Sequence, residues 1–559
     1  MTPTFHHDYH AYFLGTALRR QYTSLMLKTL SRTCSTCGSR PDYATLFKPE
    51  PGPCKLTEGE LCPPCLELEE FDRECQAILL GLTERRRGIV QRINQCHDPF
   101  IQRLPLELAS KIFSLCRPEY VPRSEPLFIP LLWDASKMSH IKPFNIILGS
   151  ICQSWRHIAW STPALWSTLP IRLHRWSKRN RVDLTLEWLG RSAQIPLNVV
   201  IACDSRMKTA EVLTQENVSL WKPLVDIANG CSDRWRSLLV DVPELVYSYI
   251  VGNGEATSIL EGLKFGSAHN RRFSARFSLT EALPTPTRLV LCTMPLRSVD
   301  IGWSNLTCAR INHLYVNECL VLLQQACRLT TFSLDGLLQG RDELLPAPSP
   351  TIHHTLRHFD VFELVEKQSA QQLLDFISLP ALKNLAYDSD FNSLDNVSAF
   401  LHRSGCRLTS LLLKVDDPDH FSGLALSSDL QSLEGFIYHG HMDGLLHYLN
   451  KPPNEQDGSI FLPKLCKIQI WGDQTAWSSL ADLYLFRPLR SLSIYLETPI
   501  NRSDKTSWPD KETALRFQNL VQKGHRIRIV GQIFGENRKD RNLLPWIVET
   551  RMSETRTAD

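Results

Sequence analysis

Leu382-Lys-Asn-Leu385-Ala-Tyr387, Leu408-Thr-Ser-Leu411-Leu-Leu413 and Leu433-Glu-Gly-Phe436-Ile-Tyr438 are three copies of one hexad, apolar-x-x-apolar-x-apolar. Further copies begin at Ile311, Leu329, Leu356, Leu465 and Leu489, so that successive starts lie 18, 27, 26, 26, 25, 32 and 24 residues apart. Weaker copies at Trp235, Leu260 and Pro286 continue the spacing toward the N-terminus. Alternation within each hexad predicts a short strand with one buried face. Helical stripes fill the intervals, for example Leu373, Leu374, Phe376 and Ile377, then Val397, Phe400 and Leu401. A strand and a helix recurring at a near-constant step predict stacked units that bury their apolar faces against one another.

This step is the spacing of leucine-rich repeats, and it predicts an α/β solenoid over 235–530. The position that carries Asn or Cys in regular repeats is Cys319 in the Ile311 copy. In the others it is Leu337, Leu364, Asp390, Asp416, His441, Asp473 and Glu497, so an internal Asn ladder should be missing and the arc irregular. Strand alternation aims the residue after each hexad outward. Those residues are Asn317, Asp335, Phe362, Asp388, Lys414, His439, Trp471 and Tyr495. Trp471 and Tyr495 should then stand side by side on neighbouring strands, about 4.8 Å apart. With Lys414 and His439 they form the expected substrate-binding patch, because exposed aromatics with a polar handle anchor interfaces. The alternative is that an irregular solenoid turns them inward to fill gaps.

The chain has 559 residues, too many for one compact core. Lys+Arg 62 against Asp+Glu 59 leaves a net charge of +3, which lacks the footprint of a dedicated nucleic-acid binder. No apolar run reaches the roughly 18 residues of a membrane span. Seventeen cysteines, many of them lone residues in apolar segments, fit a reducing compartment, cytosol or nucleus.

Ahead of the hexads, Cys75, Leu79, Leu82, Ile89, Ile93 and Cys96 form one stripe, predicting a long amphipathic helix over 66–98. Then comes Ile101-Gln-Arg-Leu104-Pro105-Leu-Glu107-Leu108-Ala-Ser-Lys-Ile112-Phe113-Ser-Leu115-Cys116, with Leu104, Leu108, Ile112 and Leu115 on one helical face. A Pro-rich segment at 117–143 interrupts it, and helical periodicity returns through Cys152-x-x-Trp155-Arg156-x-Ile158-Ala159 and Ser161-Thr162-Pro163-x-Leu165-Trp166.

These motifs, with Leu189-x-Arg191-Ser192-x-x-x-Pro196-Leu197 further on, resemble the F-box proteins of mushroom-forming fungi over about residues 66–200. The 27-residue insertion at 117–143 departs from a minimal F-box and should bulge away from the partner-binding face. The resemblance implies docking on the Skp adaptor, and through it on a cullin, in an SCF-type (Skp, cullin, F-box) ubiquitin ligase. It maps that contact onto Leu104, Pro105, Leu108, Ile112 and Trp155, of which Trp155 is the best placed to fill the F-box core instead. The expected partner on the other side is a protein substrate, with no membrane and no nucleic acid.

Cys34/Cys37 and Cys62/Cys65 are two Cys-x-x-Cys pairs with the bite of a zinc knuckle. A structural zinc on these four is the one cofactor the spacing allows, and none is required. No phosphate-cradling loop, His-Glu-x-x-His or Gly-x-Ser-x-Gly occurs, so no enzyme activity is expected. Arg172, Arg175, Lys178, Arg179 and Arg181 form the one dense basic stretch, expected as a linker helix. An alternative function is a zinc-knuckle nucleic-acid-binding or scaffold protein in which the F-box-like helices are merely structural.

The expected class is thus α+β multidomain. Residues 1–65 carry the cysteine pairs, 66–98 the long helix, 99–170 the F-box, and 171–234 a linker with the first solenoid elements. The irregular leucine-rich-repeat solenoid occupies 235–530, and 531–559 form a tail.

Overall fold

The computed structural model describes residues 63–97, 104–117, 143–173, 179–203, 215–254, 259–267, 276–279, 283–292, 294–338, 351–362, 367–388, 394–415, 428–440, 442–450, 461–472, 477–487, 489–496, 509–531 and 541–556. The chain divides into two compact units, Met1–Pro99 and Phe100–Asp559. In the first, one helix, α1, spans Pro63–His97. Its stripe residues Leu79, Leu82, Ile89 and Ile93 are exposed. No helix among the described residues is long and apolar enough to cross a membrane.

The second unit opens with helices α2 (Leu106–Leu115), α3 (Phe144–Ile151) and α4 (Gln153–Ser161), followed by a 3₁₀ turn at Pro163–Trp166. Pro105 sits at the N-cap of α2, where its missing N–H leaves nothing unsatisfied. Ala109, Phe113, Leu148, Ile158, Ala159, Leu165 and Trp166 form a small core of their own. Gly149 belongs to it by necessity, since a Cβ there would overlap the Trp160 ring.

A fifteen-stranded open sheet follows, beginning at Thr168, well ahead of residue 235. Its strands are β1 (Thr168–Leu173), β2 (Leu197–Cys203), β3 (Trp235–Val242), β4 (Gly262–Ser267), β5 (Arg288–Cys292), β6 (Cys308–Tyr315) and β7 (Thr331–Leu338). After a small parallel pair, β8 (Thr351–Ile352) with β10 (Ile377–Ser378), the main sheet includes β9 (His358–Phe362), β11 (Asn384–Asp388), β12 (Ser410–Val415) and β13 (Gly435–Gly440). It ends with β14 (Lys467–Trp471), β15 (Ser491–Tyr495), β16 (Arg526–Gly531) and β17 (Arg541–Asn542). Each main strand pairs with the next in chain order, all parallel until the antiparallel β16/β17 step. The order never reverses, so the sheet has no switch point of the kind that binds nucleotides in doubly wound folds.

Helices α5 (Arg179–Arg191), α6 (Gln215–Asn229), α7 (Glu244–Tyr247), α8 (Val316–Gln325), α9 (Lys367–Phe376), α10 (Asp395–Ser404), α11 (Met442–Leu449), α12 (Trp477–Phe486), α13 (Lys511–Gln522) and α14 (Leu544–Arg556) alternate with or follow these strands. Of the basic stretch, Arg172 lies in β1 and Arg179 and Arg181 in α5, and Arg175 and Lys178 lie outside the described residues. The architecture is mixed α/β, with fourteen α-helices among the described residues.

Register explains the core. Leu385, Leu411, Phe436, Ile468 and Leu492 are successive partners and all buried, as are Tyr387, Leu413, Tyr438, Ile470 and Ile494. Leu373, Leu374, Val397, Phe400, Leu445, Leu480 and Phe517 meet them from the helix side. The missing Asn ladder is replaced by a backbone one. The Thr307 carbonyl accepts the N–H groups of Thr330 (2.9 Å) and Thr331 (3.1 Å), and the Thr330 hydroxyl adds a third donor at 2.9 Å. Equivalent carbonyls at Glu261, Thr287, Thr330, Arg357, Lys383, Thr409, Glu434 and Cys466 each accept two N–H groups from the following repeat.

One hexad is out of phase. Ile311 pairs with Leu334, the last apolar residue of its hexad, so the true copy is Leu306-x-x-Ala309-x-Ile311. His313 (φ 61°) and Gly336 (φ 86°) lie opposite each other in left-handed conformation, which resets the alternation and buries Leu314 and Leu337 beyond the kink. A Cβ at Gly336 would collide with the His313 ring. Asn317, expected on the outward face, instead lies in α8, and Asn312 takes that place beside Asp335.

The two parts of the second unit have separate cores but one joint. Trp166 and Trp188 meet edge to face at 4.9 Å, and the Trp188 indole donates to the Trp166 carbonyl at 2.9 Å. The Arg191 guanidinium lies 4.8 Å from the Trp160 ring centre and 4.9 Å from that of Trp166. The expected divide near residue 170 is therefore an aromatic seam within one compact unit.

Alternation predicts a contrast between adjacent leucines. Leu411→Ala, in the core, should cost about 2–5 kcal/mol, and Leu412→Ala, half-buried on the opposite face, about 1 kcal/mol or less. Denaturant titration of both variants checks this, and equal losses would contradict the facing of β12.

Candidate functional site

The face of the sheet opposite the helices is built from every second strand residue. Along its row at the C-terminal strand ends, Asp388, Lys414, His439, Trp471 and Tyr495 are consecutive Cα partners across five strands. The four residues expected as a patch, Lys414, His439, Trp471 and Tyr495, are thus adjacent. Trp471 and Tyr495 stack at 4.2 Å between centroids with planes 6° apart. Trp471 is 40% exposed, so the pair does not turn inward to fill a gap. Lys414 Nζ reaches Asp388 Oδ2 at 3.3 Å, which neutralises a carboxylate only 7% exposed.

Nearer the middle of the sheet the same face holds an acidic group. Arg310 donates through Nε and Nη2 to Asp335 Oδ2 at 3.0 and 2.8 Å. Asp360, two strands from Arg310 and beside Ser333, is 1% exposed, and neither of its carboxylate oxygens has a hydrogen-bond partner among the described residues. Burial, opposed by Arg310 and the neighbouring Ser333 hydroxyl and reinforced by Asp335, pushes its pKa up to about 7. Toward the other end of the sheet, Lys467, Arg526 and Arg528 are exposed at outward positions of β14 and β16. Reading only one outward residue per hexad misses Asp360, Lys467, Arg526 and Arg528. Reading all three outward positions of each strand finds them.

A second candidate surface lies on the helical part. Ala109 and Phe113 turn into its small core, which leaves Leu108, Ile112 and Leu115 on the other side of α2, Leu108 51% exposed and Ile112 half-buried. Pro105 is exposed and Leu104 half-buried at the start of the helix. On α3, Ile147 and Ile151 are exposed one turn apart. Trp155 is half-buried with its ring 4.7 Å from Phe113, so of the five residues named for a partner contact it is the one that packs against the core.

Of the four cysteines named as zinc ligands, Cys34, Cys37 and Cys62 lie outside the described residues. Cys65 lies in α1. Among the described residues no group of three or more His, Cys, Asp or Glu side chains could hold a metal ion.

Asp360 yields a pH prediction. The unfolded carboxyl ionises near pH 4, whereas the folded one holds its proton to about pH 7, so stability falls as pH rises between these values and stays lower above them. Asp360→Asn removes that loss, and its melting temperature should gain on wild type by more at pH 8 than at pH 5, by the equivalent of up to about 3 kcal/mol. An offset that does not change with pH would show that the carboxyl is not held protonated. No protein-family model matches the chain, and no curated protein shows significant similarity to it.

Proposed function

We propose that this chain is the substrate-recognition subunit of an SCF-type ubiquitin ligase, with an F-box at 99–170 that docks on the Skp adaptor and a leucine-rich-repeat-like solenoid that binds the substrate protein. The observation that carries the reading is the apolar row of Leu104, just ahead of α2, and Leu108, Ile112 and Leu115 on it, none of which joins the small core around Ala109 and Phe113. Apolar side chains left on one side of a helix, next to a separately packed core, are the chemistry of a partner contact. The sequence motifs that resemble an F-box fall on these same helices.

The one-way sheet supports the second half of the reading. Its outward face displays a continuous row of polar and aromatic side chains suited to a protein segment. On this reading the chain carries no catalytic residue. It brings a substrate lysine near a charged ubiquitin-conjugating enzyme, raising the effective concentration of the reacting pair. The proposed setting is cytosol or nucleus, and a structural zinc on Cys34, Cys37, Cys62 and Cys65 belongs to the proposal as an accessory to folding.

Two measurements test it. Leu104→Ala with Leu108→Ala should weaken capture of the Skp adaptor at least about thirtyfold, the loss of roughly 2 kcal/mol expected for a truncated interface anchor, with the melting temperature little changed. Undiminished capture by the folded variant would remove the docking claim. Elemental analysis of the purified full chain should find one zinc, lost on Cys34→Ser with Cys37→Ser. A metal-free wild type would remove the zinc.

A further inference from the structure

Helix α1 carries an apolar stripe that nothing among the described residues covers. Phe71, Ile78, Leu79, Leu82, Ile89 and Ile93 are exposed along one side of it, with Cys75 half-buried between them. A helix of 35 residues is about 52 Å long, and a stripe of this extent calls for a partner along most of its length. Two patterns on it survive reversal of the chain. Phe71, Cys75, Ile78, Leu79, Leu82 and Arg86 follow one another at steps of 4, 3, 1, 3 and 4 residues, the same from either end. Glu67, Glu74, Arg85 and Arg92 border one edge of the stripe at steps of 7, 11 and 7, again the same from either end, but with acids first and bases last. The charge of the whole helix divides likewise. Residues 63–77 hold five acids against Arg73, and residues 84–97 hold four arginines against Glu84.

We infer that α1 pairs antiparallel with α1 of a second copy of this chain, an assembly independent of the ligase role. Turning one helix end for end lays Ile78 against Leu79 of the second copy, Cys75 against Leu82 and Phe71 against Arg86, and each contact occurs twice. Arg86, which interrupts the stripe of a single helix, then meets an aromatic ring, whose face attracts a guanidinium. In the same register Glu67 and Glu74 face Arg92 and Arg85 of the second copy across the edge of the seam, and charges at such flanking positions set the orientation of paired helices. A parallel pair would instead lay acidic half on acidic half, basic half on basic half, and Arg86 on Arg86. The dipole of a solitary helix does not account for the pattern. It rewards acids and bases only in the first and last turns, and Glu74 and Arg85 each lie about three turns from the nearer end. An anionic lipid surface fits less well, since it would repel the acidic half.

The full chain should sediment as a dimer at micromolar concentration and low ionic strength. Glu67→Arg with Glu74→Arg should weaken that dimer at least about tenfold, and so should Arg85→Glu with Arg92→Glu, because each set places like charges at every flanking contact. The melting temperature of the remaining fold should stay unchanged in both. An equimolar mixture of the two variants should restore the dimer with one copy of each, since opposite charges then face each other again. Cross-linking reads the orientation. In Leu82→Cys, a short bismaleimide should join position 82 to Cys75 of another copy, as mapped by digestion and mass spectrometry. A monomeric wild type, a dimer indifferent to either charge set, a mixture no stronger than the variants alone, or a main cross-link between the Cys75 residues of two copies would each overturn the inference.

Discussion

A single backbone acceptor in each repeat fixes the register of most of the sheet. From Glu261 to Cys466, the carbonyl of the residue after the first apolar position takes two N–H groups from the following repeat, and at Glu261, Thr287, Thr307 and Lys383 the following threonine hydroxyl adds a third. Each such bond nets about 1 kcal/mol, yet together they allow only one pairing per strand. A slip by one residue would send every buried leucine to the outward face, so the acceptor and the apolar rows enforce the same answer.

With register fixed, position in the sequence translates into position on a surface. A residue's place in its strand decides whether it joins the core or the outward face, and its repeat decides its place along that face. The face is accordingly graded in charge. Paired and buried carboxylates at Asp335, Asp360 and Asp388 lie in the middle, the Trp471–Tyr495 stack follows, and exposed cations without an ion pair among the described residues mark the strands at the C-terminal end. The costs of the gradient fall where the fold is most redundant. Asp360 loses solvation in the middle of the sheet, between strands held by their neighbours on both sides.

The repeat was legible in the sequence because large apolar residues recur at three positions per strand from Leu329 onward. It was misread at Ile311 because Ala309 is too small to announce a core position, while Leu314 and Val316, beyond the left-handed kink, imitate the pattern five residues late. Strands β1 and β2 escaped because their hexads, which begin at Trp166 and Pro196, are out of step with the rest: Pro196 and Trp235 lie 39 residues apart, far beyond the near-constant spacing of the later copies. The aromatic stack followed from strand spacing alone. The buried state of Asp360 did not, since it depends on crowding by side chains from neighbouring strands that no local pattern records. On the helical side, the periodicity gave the stripe of α2, but it could not tell which apolar residues α3 and α4 would cover.

The one-way parallel register places a single row of polar and aromatic side chains on one open face. An experimental density map of residues 168–531 at side-chain resolution tests it most directly. It should show the main strands in chain order, with Asp388, Lys414, His439, Trp471 and Tyr495 side by side on the face away from the helices. Any main strand between 331 and 531 pairing out of order, or Trp471 and Tyr495 on opposite faces, would contradict the account.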